Sequence, residues 1–303
     1  MMGSAATTHS LRFVQTVVLV RLLVPDDFGL MRIAGFVVAA MATFSQMGLG
    51  AAVIQRKEIS RDILNTAWTL TFIRNVILYA AIFALAPWVA EFYRNPLISP
   101  ILRVVSIRLL LSALGNSMGL VLLRKELDFR RHELYEIICN AGGIALTIAA
   151  AWWLRSVWAL AIGQVAFALF RLVGSYIVHP FRPRPSINWQ AARSLISFGK
   201  HILSAGVVIF LKTQLDDAIL GRMKGTEALG FYTLAYALSN MPATLITHAI
   251  SGVTFSVYSK IQDQPKRLGQ AFLKTLRVNA ALSIPAAAGL AVLAPEIVNV
   301  VYT

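Results

Sequence analysis

Apolar residues in this chain are gathered into long runs, and the runs decide what it can fold into. They occupy residues 11–23, 30–54, 64–89, 101–123, 134–154, 157–178, 195–220, 230–257 and 268–301. A helix that crosses a bilayer needs about 20 mostly apolar residues. The first run is short, and the last two exceed the bilayer thickness, so they should tilt, kink or protrude. Composition agrees: 57% of the 303 residues are apolar and 14% charged, with a mean hydropathy of +0.67. Soluble domains are roughly 45–50% apolar and about 25% charged. The pattern predicts an all-α polytopic membrane protein of about nine transmembrane helices. The first run is not read as a signal peptide, because Arg12 interrupts it, no basic segment precedes it and no small-residue cleavage site follows.

The formal charge of +14 comes from 28 Lys and Arg against 14 Asp and Glu. A nucleic-acid binder would gather such charge on one face of a polar domain, and no polar segment here is long enough. Membrane proteins instead carry excess Lys and Arg in their cytoplasmic loops. Thirteen basic residues lie on alternate loops: Arg56, Lys57 and Arg61; Arg124, Lys125, Arg130 and Arg131; Arg182, Arg184 and Arg193; Lys260, Lys266 and Arg267. The opposite loops hold Arg94, Arg155, Arg222 and Lys224, with Arg21 and Arg32 flanking the first. This bias places the N-terminus in the cytoplasm. Trp88, Trp152, Trp153 and Trp158 fall near run ends, where amphipathic rings anchor. The polar break at 179–189 carries three prolines and reads as an aqueous linker. The single cysteine, Cys139, excludes an internal disulfide and a cysteine-based zinc cluster.

An internal repeat adds to this. At an offset of 201, Arg21, Asp26 and Gly29 fall on Arg222, Glu227 and Gly230. At 204, Leu64, Ala67 and Trp68 meet Leu268, Ala271 and Phe272, and at 208 Leu85-Ala86-Pro87 meets Leu293-Ala294-Pro295. The copies start six spans apart, so both enter the membrane from the same side, as in transporters built from two like lobes. Residues 1–179 then form a six-helix lobe, 180–193 a cytoplasmic linker, and 194–303 half of a parallel-repeat second lobe.

Several strings resemble a known family. They are Arg21-Leu-Leu-Val-Pro-Asp-Asp-Phe-Gly-Leu30, Gly48-Leu-Gly-Ala-Ala-Val-Ile-Gln-Arg56, Leu64-Asn-Thr-Ala-Trp68, Leu123-Arg-Lys-Glu-Leu-Asp-Phe-Arg-Arg131, Leu215-Asp-Asp-Ala-Ile-Leu-Gly-Arg222 and Tyr232-Thr-Leu-Ala-Tyr236. In this order they resemble the Wzx-type oligosaccharide flippases, or polysaccharide-transport proteins, of the multidrug/oligosaccharidyl-lipid/polysaccharide exporter superfamily. The resemblance implies two six-helix lobes around a central cavity in the bacterial inner membrane. It also implies alternating-access export of an undecaprenyl-diphosphate-linked oligosaccharide for surface polysaccharide synthesis, with a polysaccharide polymerase and other assembly proteins as partners. No cofactor and no nucleic acid are implied. Against that pattern the chain stops in or just after its ninth span, which reads as a C-terminal truncation.

Charged residues inside the spans are the candidate substrate contacts, because an Arg at the bilayer centre costs roughly 2.5–3.5 kcal/mol on insertion scales. Arg74 lies about 15 Å into the third span and shares a face with Asn75. Its repeat mate is Arg277, and such a pair facing a cavity can hold a diphosphate by charge-assisted hydrogen bonds. Arg108 and Arg171 are further candidates. For Arg74 and Arg277 the competing reading is pairing with a buried carboxylate or capping a polar helix contact, and Arg171 is near enough to the cytoplasmic end of its span to snorkel. Lys212 and Asp216, one turn apart, can neutralise each other; with Asp217 they form a salt bridge or a coupling-ion site. The histidines His9, His132, His179, His201 and His248 are scattered, with no metal-ligand spacing. No phosphate loop or nucleophile elbow is present, which argues against an enzyme. Alternatives are an ion-coupled multidrug antiporter on the same fold, an inactive fragment, and a polyprenyl-phosphate transferase. The antiporter calls for an acidic cavity, and the transferase for a large acidic loop that the sequence lacks.

Overall fold

The computed structural model describes residues 2–46, 48–55, 59–126, 128–261 and 263–302. Among them every regular element is a helix: α1 (Met2–Leu22), α2 (Pro25–Phe44), α3 (Leu49–Gln55), α4 (Arg61–Phe92), α5 (Ile98–Leu114), α6 (Ser117–Lys125), α7 (Phe129–Leu154), α8 (Val157–Val178), α9 (Trp189–Lys260), α10 (Pro265–Val292) and α11 (Ala294–Tyr302). One compact unit is Thr7–Phe231; a second comprises Met2–Ala6 with Tyr232–Thr303. Arg56 and Lys57, expected in a basic loop, lie outside the described residues.

Among the described residues five helices are long and apolar enough to cross a membrane: α2, α4, residues Arg130–Leu154 of α7, α8 and α10. Counting the bent pair α5–α6 as one span makes six. A bilayer interior offers no water to backbone groups, so helices that satisfy their own N–H and C=O suit it. Trp153 is 88% exposed and Trp88 and Trp152 each 65%, outward-facing rings of the kind a bilayer interface accepts.

Helix starts carry their own signals. Pro25 opens α2, followed by Asp26 and Asp27, and the Asp27 carboxylate accepts from Val24 N–H at 3.2 Å. Ser60, Asn116 and Asp128 cap α4, α6 and α7 through their side-chain oxygens. Helix α9 contains one non-helical residue, Gly225 (φ 87°, ψ 178°), where two helices meet. The loop expected between the seventh and eighth runs shrinks to that point.

In the first unit α7 packs along α8 and α4 along α5, α5 also meets α8, and α2 packs against α5, α8 and α4. Two expected continuous spans are broken. The run 30–54 splits between α2 and α3, where the Ser45 hydroxyl turns back to Met41 O at 2.6 Å. The run 101–123 splits at Gly115-Asn116, with α5 and α6 bent by 59°. Groups released by this second break are rebonded: Trp68 Nε1 donates to Gly115 O at 2.9 Å, and Asn116 N–H donates to Ser175 Oγ at 2.9 Å.

Linker residues after α8 are exposed to solvent on one side and bonded to α4 on the other. Arg184, Ser186 and Asn188 donate their backbone N–H groups to Asn65 Oδ1, Thr69 Oγ1 and Thr66 Oγ1 of α4, at 3.1, 3.0 and 3.1 Å. These are alternate residues of an extended segment, whose period is two. Pro183 and Pro185, which have no N–H, flank Arg184, and Ile187 occupies the other intervening position. Asn116 Nδ2 donates to Phe181 O at 2.7 Å, and Phe181 is buried with Leu64, Trp68, Met118 and Leu195. Full burial of a phenylalanine side chain stabilises by about 1.5–3 kcal/mol. The linker is thus a strap docked on α4.

Candidate functional site

Helices α1, α2, α7 and α8 surround a cavity of about 320 Å³. Its polar lining is Arg12, Gln15, Asn140, Thr147 and Gln164, and among the described residues no acidic side chain lines it. Arg12 stands halfway along the 21 residues of α1, about 15 Å from either end. One terminal nitrogen of Arg12 donates to Asn140 Oδ1 at 3.2 Å, and Asn140 Nδ2 donates to Glu136 O at 2.7 Å. From α5, Arg108 donates to Gln164 Oε1 at 2.6 Å. Both arginines therefore bond neutral amides. Thr147 spends its hydroxyl proton on Gly143 O at 2.7 Å.

The residues expected to bind substrate are placed differently from one another. Arg74 reaches the broken end of α2, donating Nε to Ser45 Oγ at 3.0 Å and a terminal nitrogen to Ala42 O at 2.6 Å. That is the capping alternative, and Asn75 beside it is buried. Arg171 pairs with Glu136 at 2.7 Å and lies over the rings of Tyr135 and Phe167 at 5.4 and 5.6 Å. The sequence sets snorkelling, not an ion pair, against substrate contact for Arg171, which also borders a cavity of about 140 Å³ with Ser112, Asn116 and Ser175. Arg277 is exposed on α10 in the second unit. Lys212 and Asp216 are exposed on α9.

Asp217 is 2% exposed, and its Oδ2 accepts from Arg32 Nε at 2.8 Å and a terminal nitrogen at 2.5 Å, while Oδ1 has no partner. Sequence reasoning took Arg32 for an orienting flank and Arg12 for a blemish in the first span. It passed over Asn140 and Gln164. The available signal was an amide in the middle of each of two apolar runs. Among the described residues no group of His, Cys, Asp or Glu forms a metal site. His179 instead accepts Phe181 N–H on Nδ1 at 3.0 Å, and His132 Nε2 accepts from Arg124 at 2.9 Å. The side chains of His9, His201 and His248 lie outside the described residues.

Beside the Arg32–Asp217 pair the backbones of α2 and α9 cross at two glycines. A Cβ on Gly29 would lie 1.7 Å from Thr226 O, and one on Gly230 would lie 1.8 Å from Pro25 O. The contact is reciprocal: adding 201 to Pro25 and Gly29 gives Thr226 and Gly230. Asp26 accepts a short hydrogen bond from the Thr226 hydroxyl across the same crossing.

The family described as "Polysaccharide biosynthesis protein" matches residues 18–303, and the chain belongs to that family. It is an all-α member whose described residues include several helices long and apolar enough to cross a membrane. Among curated relatives it is similar to the lipopolysaccharide biosynthesis protein WzxC of Escherichia coli (strain K12), 28% identical over 294 residues that cover 96% of this chain and 60% of that protein. It is also similar to the succinoglycan biosynthesis transport protein ExoT of Rhizobium meliloti (strain 1021), 26% identical over 300 residues, 99% of this chain and 60% of that one. The teichuronic acid biosynthesis protein TuaB of Bacillus subtilis (strain 168) is 26% identical over 258 residues, 84% of this chain and 53% of that one. The chain thus spans about 60% of the length of such relatives. Among solved structures, a multidrug resistance MATE family transporter of the MOP superfamily, in an inward-facing conformation, has the same fold: TM-score 0.63 at 17% identity, covering 96% of this chain and 71% of that one.

Proposed function

We propose that this chain belongs to a flippase that exports undecaprenyl-diphosphate-linked oligosaccharide units across the bacterial inner membrane by alternating access, for surface polysaccharide synthesis. The observation that carries the reading is the family match over residues 18–303 on an all-α membrane fold. It is a transport role and not an enzymatic one. In this reading the N-terminus is cytoplasmic and the nine runs are nine spans. Residues 1–179 form one lobe, 180–193 the linker and 194–303 three helices of a parallel-repeat second lobe. The reciprocal Gly29/Gly230 contact supports the repeat, because self-complementary contact between equivalent positions is what a twofold relation generates. A polysaccharide polymerase and other assembly proteins are the partners proposed for export.

Substrate contact is proposed for Arg108 and Arg277, which have no carboxylate partner among the described residues. Arg74, Asn75 and Arg171 hold the surrounding helices in place. Arg32–Asp217 closes the outer end where α2 meets α9, with Lys212 and Asp216 on the solvent side of the same helix. The deciding experiment is complementation in a bacterium lacking its own flippase, with membrane insertion checked by immunoblot. The chain with its Arg108→Ala change should insert normally and restore less surface glycan than the unchanged chain. Equal restoration would remove Arg108 from substrate contact, and failure of the unchanged chain to restore any glycan would count against the flippase reading.

A further inference from the structure

We infer that the C-terminal end of α8 is a seat for an anionic phospholipid, with an acyl chain along Leu169, Val173 and Ile177 and the headgroup phosphate on Arg182. Which leaflet supplies the lipid rests on the flippase reading; the chemistry of the seat does not.

Four observations converge. First, α8 packs on α7, α5, α2 and α6 and still leaves an apolar stripe uncovered. Leu169, Val173 and Ile177 stand four residues apart, so they lie on one face, and each is at least half exposed. The row offers an acyl chain about 12 Å of apolar surface. Second, the stripe ends at a cation held in one orientation. Arg182 Nη1 donates to His179 O at 2.8 Å and to Phe181 O at 3.1 Å, and the guanidinium lies over the Tyr176 ring at 5.4 Å. Tyr176 is fixed in turn, its hydroxyl donating to Leu114 O at 2.7 Å, and it stands three residues from Val173, the spacing of helix neighbours. The Nε–Nη2 edge of Arg182 is left for a bidentate contact with phosphate oxygens. Third, the local charge is positive. Among the described residues the ion pairs are Arg32–Asp217, Arg131–Asp128 and Arg171–Glu136, so Arg182 and the exposed Arg184 have no carboxylate partner. Glu126 is the acidic side chain facing His179, and both Arg131 and Arg182 face it as well. Fourth, the depth fits. Helix α4 has 32 residues, about 48 Å, against a hydrocarbon core of about 30 Å, so roughly 9 Å at each end stand in the headgroup layer. The strap that follows Arg182 bonds Asn65, Thr66 and Thr69, about 6–12 Å from the start of α4. It therefore lies at the level of headgroup phosphates. Free phosphate would use the arginine but not the stripe.

Native mass spectrometry of the full chain in detergent tests this, with dioleoyl phosphatidylglycerol and dioleoyl phosphatidylcholine as the lipid probes. The first phosphatidylglycerol should bind about fivefold more tightly than the first phosphatidylcholine, the effect of one basic residue at a membrane surface. Arg182→Gln should erase most of that preference. Arg130→Gln, which removes an exposed charge on α7, should leave it intact. Ile177→Ser should weaken both lipids severalfold and leave the preference between them unchanged. Inorganic phosphate at millimolar concentration should not displace the lipid; displacement would make Arg182 a site for free anions and overturn the lipid assignment. The inference is also overturned if the two lipids bind the unchanged chain alike, or if Ile177→Ser alters neither affinity. It is equally overturned if Arg130→Gln lowers the preference as much as Arg182→Gln, which would reduce the effect to net charge. Should Arg182→Gln fail to fold, Ile177→Ser, at an exposed position, decides. Lipid retention in detergent involves no glycan export, so a failure here leaves the complementation result standing, and the reverse holds as well.

Discussion

Replacing Gly29 by alanine should loosen the first unit more than any other single-methyl change in α2. The new Cβ would sit 1.7 Å from Thr226 O, and real Cβ atoms essentially never come within 3.0 Å of a neighbour. The obstruction is backbone, so no side chain can rotate away; the two helices must separate by more than 1 Å. Overpacking of this kind costs about 1–3 kcal/mol. The upper end applies, because separation also stretches the Asp26–Thr226 hydrogen bond and the Arg32–Asp217 pair. At about 2.1 cal/mol/K of unfolding entropy per residue, each kcal/mol moves the melting midpoint of a 303-residue chain by roughly 1.5–2 °C, so a fall of about 5 °C is expected. Gly230→Ala should behave alike, since its Cβ would meet Pro25 O at 1.8 Å. The double variant should cost clearly less than both singles together, because either methyl opens the same crossing. Gly35→Ala is the control on the same helix: its Cβ meets nothing within 4 Å, and it gains up to about 1 kcal/mol of helix propensity. The assay is the midpoint of thermal unfolding in detergent. A Gly29→Ala midpoint within 1 °C of the unchanged chain, or strictly additive singles, would refute the close crossing.

Other consequences can be measured in the same preparation. Arg32→Met leaves the Asp217 carboxylate buried without its cation and should cost about 3–5 kcal/mol, whereas pairing it with Asp217→Leu should restore most of the loss; equal midpoints for the single and double variants would contradict this. Thr66→Val with Thr69→Val removes two acceptors from the strap, at about 1 kcal/mol each. Hydrogen exchange at the amides of Ser186 and Asn188 should speed up while the α7–α8 hairpin is unchanged, and unaltered exchange would count against docking. His179 titrates below its ordinary value, chiefly through burial and then Arg182 and Arg131, with Glu126 opposing. The folded state therefore favours neutral imidazole, whose Nδ1 accepts Phe181 N–H. Its contribution is complete above the ordinary histidine value and is lost as pH falls through the lowered one. Protection of the Phe181 amide should fall on acidification across that window, and His179→Gln should flatten the pH profile.

Hydropathy made the fold class legible because its signal is additive over 20 residues, so one Arg12 or Gln164 does not erase a run. The same averaging hid the breaks. Gly115-Asn116 and Ser45-Gln46 are too few to lower a window, yet each releases backbone groups that the rest of the structure is arranged to catch. The role of Arg74 followed from one of those breaks. Its partner is a main-chain carbonyl, Ala42 O, which becomes available only because α2 ends at Phe44. A sequence gives no sign of which carbonyls are free. The pair Arg32–Asp217 spans 185 positions, and only packing brings the two together. The candidate cavity was partly legible, since an amide amid aliphatic residues stands out in 134–154 and in 157–178. The identity of the cation it would face was not.

The strap on α4 also constrains the linker's length by parity. Its bonding amides are at 184, 186 and 188, and its prolines at 183 and 185, so even positions donate and the prolines fall on odd ones. Deleting one residue ahead of Pro183 would bring Pro185 to the place that Arg184 holds and leave Ile187 and Trp189 at the other two, so the strap would lose one of its three bonds outright. Deleting two would keep the alternation and shorten the tether by only about 7 Å. A linker that looks like loose proline-rich sequence thus counts in twos, as a strand in a sheet does, although the surface it pairs with is a row of side chains on a helix.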